Sequence, residues 1–197
     1  HEALTDVNVA FKDLIGTSVT PLDYGAVAHG TLMSGILLAG DHQLGAAPNV
    51  TFAMVAALED NGKGENAGLD SDVADAVKWC QFEFEADIIS LSLGGTSAVG
   101  DSREGASASA VRQATDAGVY VVAAAGNDGR EDDGDVASPG SVALAISVGA
   151  TQQSGEIWAN SSVGDPFTPT GELRQSPHQK PEIVAPGERI ISTGGQN

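Results

Sequence analysis

The chain has a single cysteine, Cys80, so no internal disulfide can staple it. Following Trp79 in a helical pattern, that thiol reads as a small buried residue rather than a reactive one. Aromatic residues are scarce at 5%, which leaves the core to Ala, Val, Ile and Leu among 25 glycines. Basic residues are few as well: 9 Lys plus Arg face 27 Asp plus Glu, for a formal net charge of -18. That field repels phosphate and excludes nucleic acid as a partner. The carboxylates are scattered over the whole length rather than gathered in a tail. They read as a solvated surface suited to concentrated salt, where self-repulsion is screened, and point to a halophilic source. A pocket for basic substrates is the rival reading of the same charge. No apolar run approaches membrane-spanning length and no signal peptide is recognisable, so no membrane partner is expected. The first residue is not Met, so targeting sequence could have been removed.

What is present is a regular alternation of helix-like and strand-like stretches over 197 residues, enough for one good core and read as one domain spanning 1–197. Residues 29–40 read as a helix and 51–58 as a buried strand, with a turn between Gly45 and Pro48. Asp70 and Ser71 can cap a helix over 71–82, in which Val73, Ala76, Val77 and Cys80 recur at helical spacing. Residues 87–93 read as a short strand ending at Gly94-Gly95, 103–117 as a helix, and 118–125 and 144–150 as strands. Residues 160–180, with three prolines, read as a long surface loop, and no internal repeat is visible. This rhythm predicts an α/β fold: a three-layer, doubly wound, mostly parallel sheet with helices on both faces. Ligands then bind beyond the carboxyl ends of the strands, where Leu58 onward, Ser92 to Gly95 and Gly126-Asn127 fall.

Two sites carry chemistry. His29 opens a helix of small and apolar residues (His29-Gly30-Thr31-Leu32-Met33-Ser34-Gly35), where a general base would sit. Val121 to Ala125 runs a strand into Gly126-Asn127, a turn able to aim an amide at a reacting oxygen. Base and oxyanion donor together point to acyl transfer. Read alone, His29 could be a plain helix-start histidine, Asn127 a turn residue, and Gly62 and Gly64 loop punctuation.

The motifs, in their order, resemble the subtilases, the subtilisin-like serine proteases. His29-Gly30-Thr31 is similar to the family's histidine motif and Gly45-Ala46-Ala47-Pro48 to the turn after it. Ser92-Leu93-Gly94-Gly95 resembles its substrate-binding strand end, Ala124-Ala125-Gly126-Asn127 its oxyanion segment, and Lys180 to Gly187 the stretch before the nucleophile. His1-Glu2-Ala3-Leu4 resembles the stretch just after the catalytic aspartate. The resemblance implies a serine endopeptidase with His29 as general base and Asn127 as oxyanion donor. It further implies that Ser92, Leu93 and Gly94 pair with an extended peptide on one side and Gly62, Lys63 and Gly64 on the other, with Ala124, Ala125 and Gly126 walling the first specificity pocket. Polypeptides are then the substrates, the protein is a monomer, and the family suggests secretion to an extracellular setting.

Two members of the family's triad have no match. Asp6, Asp13 and Asp23 precede His29, but none is expected to end an apolar strand and lead into Ser/Thr-Gly. Gly16-Thr17-Ser18 lies before the histidine, and Gly100-Asp101-Ser102 sits in a polar loop, so neither reads as a nucleophile elbow. The chain is therefore read as the interior of a catalytic domain, lacking the aspartate strand and the nucleophile helix, and inactive by itself. The alternative is a non-catalytic subtilase-like module that holds extended peptides. No metal site is assigned and no cofactor is required. Calcium remains an option without a located site: Asp41-His42-Gln43-Leu44 is too short for the family's calcium insertion, and Glu131-Asp132-Asp133-Gly134-Asp135 lacks EF-hand spacing. His1-Glu2 has no second histidine four residues on, so a zinc protease motif is absent.

Overall fold

The computed structural model describes residues 4, 8–40, 45–95, 105–129, 136–164 and 170–193. Its contacts divide the chain into two compact units, His1–Ala76 with Ile191–Asn197, and Val77–Ile190.

In the first unit, β1 (Val9–Asp13) runs parallel to β2 (Phe52–Ala56), pairing Val9 with Phe52 and Asp13 with Ala56. No strand is expected from the sequence before His29, and β1 corrects that: Asp13 ends a strand. With only Val9 and Phe11 favouring extended backbone strongly, β1 has little local signal, and pairing with β2 supplies what propensity does not. Helix α1 (His29–Leu38) carries apolar residues on nearly every side, with Ser34, Gly35 and Leu38 buried and Ile36 exposed. Ser192 and Thr193 lie across it: the Ser192 hydroxyl donates to the Leu32 carbonyl at 2.5 Å and the Thr193 hydroxyl to the Thr31 carbonyl at 2.8 Å. A Cβ on Gly35 would collide with both hydroxyls, so only glycine admits this crossing. At the other end of α1, the N–H groups of Gly45, Ala46 and Ala47 reach the carbonyls of Ala39, Ile36 and Leu37. This satisfies acceptors that a helix C-terminus leaves free, and explains the Gly-Ala-Ala-Pro turn. A short antiparallel hairpin follows, β3 (Glu59–Asp60) with β4 (Asn66–Ala67).

Helix α2 (Asp70–Phe82) carries the chain from the first unit into the second. Asp70 and Asp72 in its first turn suit the positive end of its dipole, and Val73, Ala74, Ala76 and Val77 are its buried face. Cys80 is half-buried, and burial pushes its thiol up to about 11, which keeps it protonated and a packing residue at neutral pH.

The second unit is a four-stranded, all-parallel sheet in the order β5 (Ile88–Leu91), β6 (Tyr120–Ala124), β7 (Ile146–Thr151) and β8 (Ile183–Pro186). Helix α3 (Ala106–Asp116) packs on β6 through Ser107, Ala108, Ala110, Val111 and Ala114, one face at helical spacing. The fold class is the α/β arrangement the sequence predicts, and the described part of 160–180 holds no helix or multi-residue strand. The strand at β8 is an addition, since Lys180 to Gly187 carries a motif but little alternation.

The β7–β8 pair is tied by one cation. Lys180, with its side chain 8% exposed, donates to the Ala145 carbonyl at 2.6 Å and lies 2.7 Å from Glu182 Oε1. Glu182 Oε2 in turn accepts the Ser147 N–H at 2.7 Å. The Ser147 hydroxyl is buried with no partner, so it contributes nothing to this network. Removing one partner of a buried pair strands the other, and because Glu182 is 30% exposed the loss is tempered. Lys180→Met should therefore lower unfolding free energy by about 2–3 kcal/mol in urea titrations. Ser147→Ala, which deletes an unpaired hydroxyl, should be neutral or stabilising by up to about 1 kcal/mol.

Candidate active site

His29 stands at the first turn of α1 in the first unit. The two residues before it, Val27 (φ 51°) and Ala28 (φ 52°), are in the left-handed region although neither is glycine. Such residues cost of order 1–3 kcal/mol each and persist only where neighbours over-determine them. Ala28 offers the helix no side-chain cap. Asp23 does so from a distance: Oδ2 accepts the Thr31 N–H at 2.7 Å and the Thr31 hydroxyl at 2.8 Å, while Oδ1 accepts the Gly25 N–H at 2.9 Å. A carboxylate so placed satisfies an orphan donor and complements the helix dipole. His29 itself is half-buried, and its imidazole makes no hydrogen bond or ion pair among the described residues.

Of the other acidic residues before His29, Asp13 is committed elsewhere. Asp6 lies outside the described residues. Asp13 caps the turn after β1, accepting the N–H groups of Ile15 at 3.0 Å, Gly16 at 2.8 Å and Ser18 at 2.7 Å, and the Tyr24 hydroxyl at 2.7 Å. Desolvation pushes its carboxyl up, but the donors from Gly16, Tyr24, Ser18 and Ile15 together outweigh it and hold the pKa at about 2. Tyr24 is raised in return, by its hydrogen bond to Asp13, by burial and by the Asp13 charge. Ser18, in the Gly-Thr-Ser tripeptide ahead of the histidine, donates its hydroxyl to the Thr20 carbonyl at 2.7 Å. Ser102, of Gly100-Asp101-Ser102, lies outside the described residues.

At the tip of the β3–β4 hairpin, Gly62 (φ 76°) and Gly64 (φ 83°) flank the exposed Lys63. Asp60 Oδ1 accepts the Gly62 N–H at 2.8 Å and the Gly64 N–H at 3.3 Å. These glycines are required by backbone conformation, since a Cβ on either meets nothing within 4 Å.

In the second unit, a pocket of about 260 Å³ lies beyond the carboxyl ends of β5 and β6. It is lined by Ser92, Leu93, Gly94 and Gly95 on one side and by Ala124, Gly126, Asn127, Asp128 and Ala137 on the other. The expected strand ends, Ser92 to Gly95 and Gly126-Asn127, thus meet at one rim. Ala125 does not face the pocket: it is 1% exposed, and its backbone bonds Val148 and Ala137. The walls are stitched together by the exchange of two backbone bonds between Gly95 and Ser138, and by the Ser162 N–H to the Gly126 carbonyl at 3.1 Å. A Cβ on Gly94 would stand 2.9 Å from the Ala137 Cβ, and one on Gly126 (φ 117°) 2.7 Å from the Ser162 hydroxyl. Asn127 is exposed and its carboxamide makes no hydrogen bond among the described residues.

Comparison with known proteins fits this geometry. The Subtilase family profile matches residues 7–197. The chain belongs to the subtilase family. It is 30% identical over 207 residues to the serine protease AprX of Bacillus subtilis (strain 168), covering 100% of this chain and 46% of that protein. It is 32% identical over 171 residues to the major intracellular serine protease of the same organism, covering 84% of this chain and 46% of that one. Among solved structures, Sphericase superposes with a TM-score of 0.75 at 28% identity, with 98% of this chain and 64% of that chain covered. The fold is therefore subtilisin-like, and the chain spans about half the length of the curated relatives it matches.

Within this subtilase chain, the supports around the site left little trace in the sequence. Asp23 acts eight residues ahead, outside the three-residue spacing of a capping box, and Ser192 and Thr193 reach α1 from the far end of the chain. Asp128 and Ala137 join the pocket, and Ser162 binds the backbone of Gly126 and Asp128, through loops with no periodicity. Glu131 to Asp135 and Asp41 to Leu44 lie outside the described residues, and among the described residues no three His, Cys, Asp or Glu converge as a metal would require.

The Asp13 turn makes stability pH-dependent in a defined direction. Its carboxyl is depressed from 3.8 to about 2 in the folded chain, so its stabilisation is present above pH 3.8 and lost as pH falls through 2. Asp13→Asn should lower the urea midpoint at pH 5 and narrow the gap to wild type between pH 4 and 2. Parallel curves for the two proteins over that window would rule out Asp13 as the source of the pH dependence.

Proposed function

We propose that this chain carries the general base and the oxyanion donor of a subtilisin-type serine endopeptidase. His29 takes the proton from the nucleophilic hydroxyl and returns it to the leaving amine, and Asn127 donates its side-chain N–H to the tetrahedral oxyanion. The observation that carries this reading is a contrast in polar partners. Asp13, Asp23, Ser18 and Thr31 are committed to local hydrogen bonds, whereas the His29 and Asn127 side chains make none among the described residues.

Substrate contacts follow the same reading. Ser92, Leu93 and Gly94 pair with an extended polypeptide along one edge, and Gly62, Lys63 and Gly64 along another. Ala124 and Gly126 give the pocket small walls, which admit a large side chain into its 260 Å³, and Ala125 supports that wall from behind. The whole chain acts as one peptidase domain. Asp-Ser/Thr-Gly does not occur in the 197 residues and no Gly-Thr-Ser starts a helix among the described residues, so on this reading these residues alone do not hydrolyse peptides. A non-catalytic peptide-binding module is the alternative, favoured by the engagement of Asp13 and Ser18 in structural bonds. No cofactor enters either reading.

The acidic surface supports a monomer at work in concentrated salt, outside the cell and from a halophilic source. At 1 M salt the screening length falls to ~3 Å from ~10 Å at 0.1 M, which removes most repulsion among exposed carboxylates. The melting temperature of the full-length protein should rise between 0.1 and 2 M KCl, and a flat or falling curve would remove this support.

Fluorophosphonate labelling of the full-length protein in concentrated salt, read by intact mass, tests the reaction. A single adduct is expected, lost in His29→Ala along with at least about 10⁴-fold in turnover. Asn127→Ala should keep peptide affinity and lose turnover by about 10²–10³, the magnitude known for the subtilisin oxyanion asparagine. A folded protein that binds peptides but takes no label sinks the protease reading and establishes the binding module.

A further inference from the structure

The geometry points to Asn66 as a positioning residue for His29, linking the β3–β4 hairpin to the turn from which the imidazole projects; this rests on His29 being the base. Asn66 lies on β4, opposite Asp60 on β3, close behind the Gly62-Lys63-Gly64 tip. Its Oδ1 accepts the N–H of Ala26 at 2.6 Å, across 40 residues of sequence. Ala26 is 3% exposed, so this donor has no access to water as a substitute. A second bond runs alongside, from the Asp60 N–H to the Tyr24 carbonyl at 2.9 Å. Gly25 lies between them, and a Cβ there would stand 3.0 Å from Asn66 Oδ1.

The residues so gripped are the ones that precede the strained pair Val27 and Ala28, and His29 follows directly. Asp23 fixes the far side of this turn through Thr31, on the helix. Asn66 fixes its near side, through Ala26. With the Asn66 carbonyl gone, the Ala26 N–H loses the acceptor that holds its peptide in place, and the left-handed pair can relax toward ordinary backbone. The His29 Cβ rides on that turn, so relaxation displaces the base. Because Asn66 belongs to the hairpin, order at the Gly62–Gly64 tip is transmitted to Ala26, and so toward His29, through the Asn66 side chain, with the Asp60–Tyr24 backbone bond alongside.

Asn66 touches no reacting atom, so the expected effect is on turnover rather than on substrate binding. In the full-length protein, Asn66→Ala should lower kcat by about 30-fold with KM within about twofold, since a displacement near 1 Å can cost ~10²-fold. Asn66→Asp keeps an acceptor for Ala26 and should restore most of kcat. Val27→Gly, which replaces a side chain 79% exposed and relieves the positive φ, should recover much of the loss in the Asn66→Ala background. A merely structural role for Asn66 in the hairpin gives no such rescue. Hydrogen exchange over residues 24–29 is read in the same proteins and should rise in Asn66→Ala. Unchanged kcat and exchange in Asn66→Ala, a change confined to KM, or failure of Val27→Gly to rescue each overturn the proposal. If Asn66→Ala does not fold, Asn66→Asp against Asn66→Leu makes the same comparison. Should the wild type hydrolyse nothing, the base reading falls, and the exchange data alone then decide whether Asn66 holds the turn.

Discussion

Backbone donors left over where strands and helices end are satisfied in this chain by side-chain oxygens, some local and some from 35 and 40 residues away, and the turn that carries His29 depends on that. Asp13 collects three N–H groups beyond the end of β1, Asp23 serves Thr31 inside α1, Asn66 serves Ala26, and Glu182 serves Ser147 at the start of β7. A buried N–H without a partner is expensive, so each of these carboxylates and amides is held in place as firmly as it holds the backbone. The result is a set of turns whose conformation is dictated from elsewhere. That is why two non-glycine residues can sit at positive φ directly before His29.

Close approach is the second constraint. The chain has few large side chains, and its cores are made by bringing backbones together over small residues. Gly35 lets Ser192 and Thr193 cross α1, Gly45 lets the turn after α1 rest on its last carbonyls, and Gly94 lets one pocket wall reach Ala137. In the second unit the same economy makes the pocket: with alanine and glycine on the ends of β5 and β6, the space is left open rather than filled. Packing through small residues is tight and intolerant of added atoms, so these positions restrict substitution more than their modest side chains suggest.

Charge divides the molecule by function. Acidic residues outnumber basic ones three to one, and Lys180 shows what a rare cation does when it is drawn inside: it is buried against two backbone carbonyls and Glu182, joining β7 to β8. A carboxylate can be spent on solvent in a chain of net charge -18, but a lysine in such a chain that is buried and fully bonded is a structural element.

Periodicity and motif order were enough to read the α/β class, helices over 29–40, 71–82 and 103–117 that the structure places at 29–38, 70–82 and 106–116, the strands β2, β5, β6 and β7, and the places of His29 at a helix start and Asn127 after a strand. Those features are local: apolar spacing, caps and glycine turns act within a few residues of one another, so they are legible along the chain. β1 and β8 were not, because their extended backbone comes from pairing with β2 and β7 rather than from their own residues. Nor were the roles of Asp23 and Asn66, whose partners lie 8 and 40 residues away, or of Thr193, 162 residues from the carbonyl it meets. Sequence determined which residues could do chemistry; tertiary structure decided which polar groups were already taken, because hydrogen bonds are allotted by proximity in space and not by distance along the chain.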